Sequence, residues 1–202
     1  MILYASTTSP FVRKVMIVAF ELGLEKTITV KNITTLPTSP NAELGTQNPL
    51  SKIPALVTQN QTLVDSRVIC EFLCSLKPQS NLYPTNESQK FKTLSLQALA
   101  DGALDAGILY RYETTLRPTA LHWPLWLSAQ EAKVKNTLTF FEKDCPNWQD
   151  SFDIGQIAVF CALGWLDFRK PFNWNLSDFP RLHDWYARRG QLQSTQKTKP
   201  YL

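Results

Sequence analysis

The feature that most constrains the fold is a change in the hydrophobic pattern near residues 77 to 85. Before this stretch, short apolar and β-branched runs alternate with helical periods, as is typical of an α/β domain. After it, strand signals nearly vanish and long stretches with a helical apolar period take over. The sequence therefore predicts a small α/β domain at residues 1 to 77, followed by an all-α domain at residues 86 to 202.

The first domain is predicted to begin as β-α-β. The runs "ILYA" and "TITVKNIT", which begin at residues 2 and 27, have the composition of strands. Between them lies a helical period that starts at Pro10 and stops at Gly23, with Ser9 as a natural N-cap. A crossover of this length implies that the two strands are parallel.

The remainder of the first domain is predicted to be a loop, a hairpin and a helix. Residues 34 to 50 are rich in Pro, Asn and Thr, which predicts a loop with at most a short helix. "PALVTQNQTLV", from residue 54, is typical of a hairpin. Asp65 and Ser66 are positioned to cap the following helix, "RVICEFLCSL".

Helical periods in the second domain cover residues 86 to 113, 125 to 143, 154 to 168 and 179 to 189. The third of these is apolar nearly all round, which indicates a central, buried helix. Asp153 and Gln156 have the spacing of a capping box at its start. The basic stretch "RRGQLQSTQKTK" near the C-terminus is interpreted as a solvated tail.

Composition argues against several classes of function. The net charge is only +4 and the basic residues are scattered, so no nucleic acid partner is expected. No secretory signal is expected, and no stretch approaches the roughly 18 apolar residues of a membrane span. The four cysteines contain no CxxC and lie far from both histidines in sequence. We expect reduced thiols in a cytoplasmic protein, and no metal site.

Four segments together resemble the glutathione S-transferase superfamily. They are "SPFVRK" (9 to 14), "NPLSKIPAL" (48 to 56), "LVDSRVICEFL" (63 to 73) and "IAVFCALGWLDFR" (157 to 169). Their order and spacing are similar to those of the family, and the Ser-Pro-Phe form resembles its serine-type classes. The resemblance implies a thioredoxin-like, glutathione-binding first domain and an all-helical second domain.

The resemblance also implies a binding site for glutathione as co-substrate. Ser66 and the amides that open its helix would hold the γ-glutamyl carboxylate, and Asp65 would pair with the ammonium group. A cis bond before Pro54 would turn the backbone of Ile53 toward the cysteinyl unit, as in strand addition. Lys52 would neutralise the glycyl carboxylate.

Ser9 is the candidate catalytic residue. A thiol with a pKa of ~8.5 is only about 3% ionised at pH 7, and lowering that pKa by two units requires roughly 2.7 kcal/mol. A hydroxyl that donates to the thiolate can supply about 1.5–3 kcal/mol, and the helix N-terminus adds about 0.3–1 kcal/mol. Thr7 and Thr8 remain alternatives for this role. Arg13 is interpreted as a solvated side chain that adds positive potential at most.

The resemblance implies a detoxifying transferase that adds glutathione to small hydrophobic electrophiles or reduces peroxides. Phe11, Tyr110 and Trp123 are candidate walls of the second substrate site. A homodimer is expected, with Arg67 and the 90 to 109 face in its interface. The alternatives are a catalytically silent binding or regulatory protein of the same fold, and a glutathione-dependent isomerase. The absence of a cysteine at position 9 disfavours a thiol reductase.

Overall fold

The computed structural model describes residues 1–148 and 150–201. The chain divides into two compact units. One comprises Met1–Tyr83 and the residues from Gln193 onward, and the other comprises Pro84–Leu192. A mixed sheet with helices forms the first unit and helices alone form the second, so the predicted fold class is confirmed.

The first unit combines a four-stranded sheet with three helices that precede residue 84. Its strands are β1 (Ile2–Ala5), β2 (Thr29–Asn32), β3 (Ala55–Val57) and β4 (Thr62–Leu63). The helices are α1 (Pro10–Glu21), α2 (Ala42–Gln47) and α3 (Ser66–Ser75). Each lies where the sequence predicts it, and α2 is the short helix that the Pro-rich loop was expected to allow.

The strand order in the sheet is β2-β1-β3-β4. Strand β1 runs parallel to β2 and antiparallel to β3, and β3 pairs with β4 as a hairpin. The predicted parallel pair and the predicted hairpin are therefore both confirmed. Helices α1 and α3 pack against each other. Both helices carry fully buried side chains, among them Val15, Ile17, Ile69 and Leu73.

The second unit contains the four predicted helices. They are α4 (Glu87–Leu116), α5 (Pro124–Asp144), α6 (Ile154–Arg169) and α7 (Pro180–Arg189). Helix α6 is buried from Ile154 through Leu166, as its apolar character on all faces predicts. Among the described residues, no helix is long and apolar enough to cross a membrane.

Helices α4 and α6 are joined at the start of α6 by the side chain of Asp153. One of its carboxylate oxygens accepts from the backbone N–H of Gln156 at 2.9 Å, which is the first half of the predicted capping box. The other oxygen accepts from the Thr93 hydroxyl of α4, also at 2.9 Å. Each of these bonds pairs a polar group that is otherwise costly to bury.

Two glycines allow α4 and α6 to approach closely. A Cβ atom at Gly155 would lie 2.6 Å from the carbonyl oxygen of Thr93, and one at Gly107 would lie 2.9 Å from the Trp165 ring. Residue 155 thus lies beside residue 93, and residue 107 beside residue 165. Because both numbers increase together, the two helices run parallel.

The C-terminal segment corrects one prediction. It forms α8 (Gln193–Lys197), which packs against α1, and Thr195 is only 1% exposed. The interpretation of this stretch as a solvated tail is therefore wrong, and its residues group with the first unit although the sequence analysis assigned them to the second domain.

Arg13 is the second correction, because its side chain is only 7% exposed instead of solvated. Its guanidinium donates to the carbonyl oxygen of Thr195 at 3.3 Å. This hydrogen bond links the first turn of α1 to α8. It joins positions 182 residues apart, so no local sequence pattern reveals it.

Substituting Gly155 tests the close approach of α4 and α6. Gly155→Ala should destabilise the protein by about 1–3 kcal/mol, because the added methyl group meets backbone that cannot easily move. Gly102→Ala, at an exposed position of α4, is the matched control, since nothing lies within 4 Å of its Cβ position. That control should be stabilised by about 0.5–1 kcal/mol through helix propensity. Denaturant unfolding measures both, and equal effects would contradict the close approach of α4 and α6.

Candidate functional site

The register of the sheet brings three separated segments to one edge. Tyr4 pairs with Ala55, and Leu56 pairs with Leu63. Continuing the same antiparallel registers places Ala5 beside Pro54, and Pro54 beside the residue that opens α3. Neighbouring strands are about 4.8 Å apart. The loop after β1, the segment before β3 and the start of α3 therefore meet at this edge.

Ser9 lies in the loop after β1 and caps α1, as predicted. Its hydroxyl oxygen accepts from the backbone N–H of Val12 at 3.3 Å, and its side chain is half-buried. Capping uses a lone pair of the oxygen and leaves the proton available. In the part of the chain that the structure describes, the Ser9 hydroxyl proton has no acceptor.

The hydroxyls of the two neighbouring threonines already have other hydrogen-bond partners. The Thr7 hydroxyl donates to the backbone carbonyl oxygen of Tyr201 at 2.8 Å. The Thr8 hydroxyl shares a hydrogen bond with the Ser6 hydroxyl at 3.2 Å. The Thr7 proton is therefore committed and the Thr8 hydroxyl already has a side-chain partner, whereas the Ser9 proton has no acceptor among the described residues.

The segment before β3 presents unpaired backbone. The Ile53–Pro54 peptide bond is cis, as the resemblance implies. The side chain of Ile53 packs against the buried cluster of Tyr4, Leu44 and Ala55. Neither the N–H nor the C=O of Ile53 bonds to any described residue. An extended peptide could therefore pair with this backbone as an added strand.

Asn48 holds this segment in place, a role that sequence reasoning missed. Its side chain is 2% exposed. The amide donates to the carbonyl oxygen of Lys52 at 2.7 Å and accepts from the N–H of Leu50 at 3.0 Å. The Asn-Pro pair predicts a turn here, but it does not reveal which backbone groups the asparagine satisfies. Lys52 itself is exposed, and its ammonium group has no acceptor among the described residues.

Asp65 and Ser66 open α3. One oxygen of Asp65 accepts from the N–H of Arg67 at 2.9 Å, so the predicted cap is confirmed. Asp65 is exposed, and its second oxygen is available to a ligand. Ser66 is 2% exposed, and its hydroxyl forms no hydrogen bond with a described residue. Free amides, a hydroxyl and a carboxylate are therefore close together where the helix dipole favours an anion.

A charged cluster fixes α2, the helix that leads into this edge. The Tyr4 hydroxyl donates to Glu43 at 2.9 Å, and the Lys31 ammonium group forms an ion pair with the same oxygen. The hydrogen bond from Lys31, followed by that from Tyr4, lowers the pKa of Glu43. The same contacts with Glu43 raise the pKa of Tyr4 and of Lys31.

The other candidate residues occupy different surroundings. Phe11 is half-buried in α1 of the first unit. Tyr110 lies in the second unit, where its ring meets Phe172 edge-on at 5.3 Å. Trp123, also in the second unit, is 60% exposed. Within residues 1–148 and 150–201, no group of three His, Cys, Asp or Glu side chains is arranged to hold a metal ion.

Comparison with known proteins gives matches to both units. The glutathione S-transferase N-terminal domain matches residues 8–76, and the glutathione S-transferase C-terminal domain matches residues 124–188. The uncharacterized GST-like protein YibF of Escherichia coli K12 is 32% identical over 202 residues, which are 98% of each chain. The chain belongs to the glutathione S-transferase family.

Solved structures agree with this family assignment over the whole length. A glutathione transferase family member from Pseudomonas fluorescens Pf-5, with bound glutathione, has a TM-score of 0.94 and 38% identity, covering 100% of this chain and 99% of its own. A glutathione S-transferase from Methylobacillus flagellatus KT, with GSH bound, has a TM-score of 0.87 and 32% identity, covering 99% of each chain. The edge described above lies within the matched N-terminal domain of this family member.

The cluster around Glu43 predicts a pH dependence of stability. Folding lowers the pKa of this carboxyl below its ordinary value of 4.5. The ion pair therefore stabilises the fold fully at pH values above that ordinary value, and this contribution is lost as the pH falls through the lower folded pKa. Unfolding free energies of the wild type and of Glu43→Gln should therefore differ at neutral pH and converge in acid. Glu71→Gln, at an exposed position of α3, is the control. A Glu43→Gln difference that persists unchanged in acid would contradict this assignment.

Proposed function

We propose that the chain is a glutathione transferase whose co-substrate binds at the edge formed by Ser9, Pro54 and Asp65. The observation that carries the proposal is the combination of an uncommitted Ser9 proton with unpaired Ile53 backbone at the same edge. The glutathione found in the Pseudomonas and Methylobacillus relatives supports the choice of ligand.

Each part of the tripeptide has a proposed partner. Its γ-glutamyl carboxylate meets the Ser66 hydroxyl and the first amides of α3, and its ammonium group meets the free oxygen of Asp65. The cysteinyl unit pairs with the N–H and C=O of Ile53 ahead of cis Pro54. The glycyl carboxylate meets Lys52, whose ammonium group is exposed on the same loop.

Ser9 acts in this proposal as a hydrogen-bond donor to the thiolate, in the manner of the serine-type classes. It neither attacks the electrophile nor removes a proton. The hydroxyl proton points to the sulfur while the oxygen continues to cap α1, so one side chain fixes the helix and stabilises the anion. The positive end of α1 adds to the same effect.

The second substrate is proposed to be a small hydrophobic electrophile or a peroxide. With a carbon electrophile, the anionic sulfur attacks the electrophilic carbon and a thioether forms, while the leaving group or the developing anion takes the displaced electron pair. With a peroxide, the sulfur attacks one oxygen, the O–O bond breaks and an alkoxide leaves, and a second glutathione thiol converts the resulting sulfenic acid to the disulfide and water. An isomerase would use the same thiolate and release glutathione unchanged, so product analysis separates the two activities.

A cytoplasmic homodimer also remains part of the proposal. Apolar side chains that face solvent on the isolated chain support it. They are Val68 at 46% exposure on α3, and Phe91 and Leu99 at 59% and 41% on α4.

Calorimetry tests ligand binding. Glutathione should bind the wild type, whereas Asp65→Asn and Ser66→Ala should each weaken binding about tenfold, because each removes a hydrogen bond to a charged group. Asparagine is as good an N-cap as aspartate, so the first variant changes charge and not capping. Ser75→Ala, at the exposed opposite end of α3, should bind as the wild type does. No heat at millimolar glutathione would instead favour a silent binding or regulatory protein.

Titration of the bound thiol tests the role of Ser9. Ser9→Ala should raise the thiol pKa in the complex by about 1–2 units with little change in affinity, because one hydrogen bond to the thiolate is lost. Thr7→Val and Thr8→Val serve as controls and should leave it unchanged. Ser9→Thr keeps the hydroxyl and should restore the low value. Ultraviolet absorbance of the thiolate against pH is the measurement, and a shift in Thr8→Val alone would move the role to that residue.

A further inference from the structure

The parallel register of α4 and α6 places two arginines side by side. Residue 107 lies beside residue 165, with the neighbouring Leu166 also in reach of its Cβ position. Continuing one turn along both helices brings Arg111 of α4 next to Arg169 at the end of α6. The charge of Arg111 acts on Arg169, as expected for such neighbours.

Among the described residues, this pair of like charges has no acidic partner. Both side chains are half-buried, yet neither guanidinium forms an ion pair with any described residue. Burial, and then the charge of Arg111, lower the pKa of Arg169. Partly buried like charges without a counter-ion are unfavourable, because desolvation and repulsion act in the same direction.

Two aromatic side chains lie beside the pair. The Arg169 guanidinium lies 4.8 Å from the centre of the Phe168 ring, and the Tyr112 phenol is close enough for both arginines to act on it. Burial raises the pKa of Tyr112, and the two arginines oppose this effect. Its hydroxyl remains protonated at neutral pH and is therefore a further hydrogen-bond donor.

We infer that Arg111, Arg169 and Tyr112 form a binding site for the carboxylate of a small organic acid. Guanidinium groups match a carboxylate with paired N–H donors, and the anion supplies the charge that the pair lacks. The neighbouring rings of Phe168 and Tyr112 favour an acid with an apolar body over an inorganic anion. This site goes beyond the proposed function, because it lies wholly within the helical unit and does not require glutathione.

Propanoate and its neutral counterpart, propanamide, are the probes for this site. Each is titrated into the full-length protein while the NMR signal of the Tyr112 side chain, assigned with Tyr112→Phe, is followed. Propanoate should shift this signal saturably and propanamide should not. Arg111→Gln and Arg169→Gln should each weaken propanoate binding about tenfold, through loss of a charged hydrogen-bond donor.

Two further variants keep the test decisive. Arg188→Gln removes the same charge from an exposed position on α7, and it should bind propanoate as the wild type does. Arg111→Lys keeps the positive charge but loses the paired N–H donors of the guanidinium, so it should bind propanoate with intermediate affinity. This variant replaces the glutamine variant if the latter fails to fold. Equal responses to propanoate and propanamide, or affinities that no substitution of the pair changes, would overturn the inference.

Discussion

The antiparallel pairing of β3 with both β1 and β4 is the constraint on which the candidate site depends. Its register carries Ala5, Pro54 and Asp65 to the same end of the sheet, although they are far apart in sequence. A shift by one residue would turn Leu56 away from the core and separate these groups. Core packing therefore fixes the site before any ligand is present, and the first turns of α1 and α3 both begin at this edge.

The C-terminal segment contacts the loop and the helix that form part of this edge. By accepting the Thr7 proton, the Tyr201 carbonyl removes one of three competing hydroxyls, and Thr195 accepts from the buried guanidinium of Arg13. Both contacts hold the loop before α1 and the helix itself against the end of the chain. The C-terminal segment carries no candidate catalytic side chain, but its contact with Thr7 helps to leave Ser9 as the available hydrogen-bond donor.

The sequence allowed much of this architecture to be predicted, because its signals are local. Helix periods, the Asp153 cap and the change of pattern before Pro84 act over a few residues, and the structure confirms the elements that they indicate. The burial of Arg13, the loop contacts of Asn48 and the pairing of Arg111 with Arg169 depend on long-range packing. Arginine and asparagine have the same appearance in a sequence whether they face water or hold distant backbone in place.

A crystal structure of the glutathione complex tests the central claim most directly, since it locates the sulfur atom among the hydroxyls at the edge. We predict that the sulfur lies within about 3.5 Å of the Ser9 hydroxyl oxygen, with the cysteinyl backbone paired to Ile53. A sulfur bound at Thr7 or Thr8, or remote from every hydroxyl of this loop, would contradict the account.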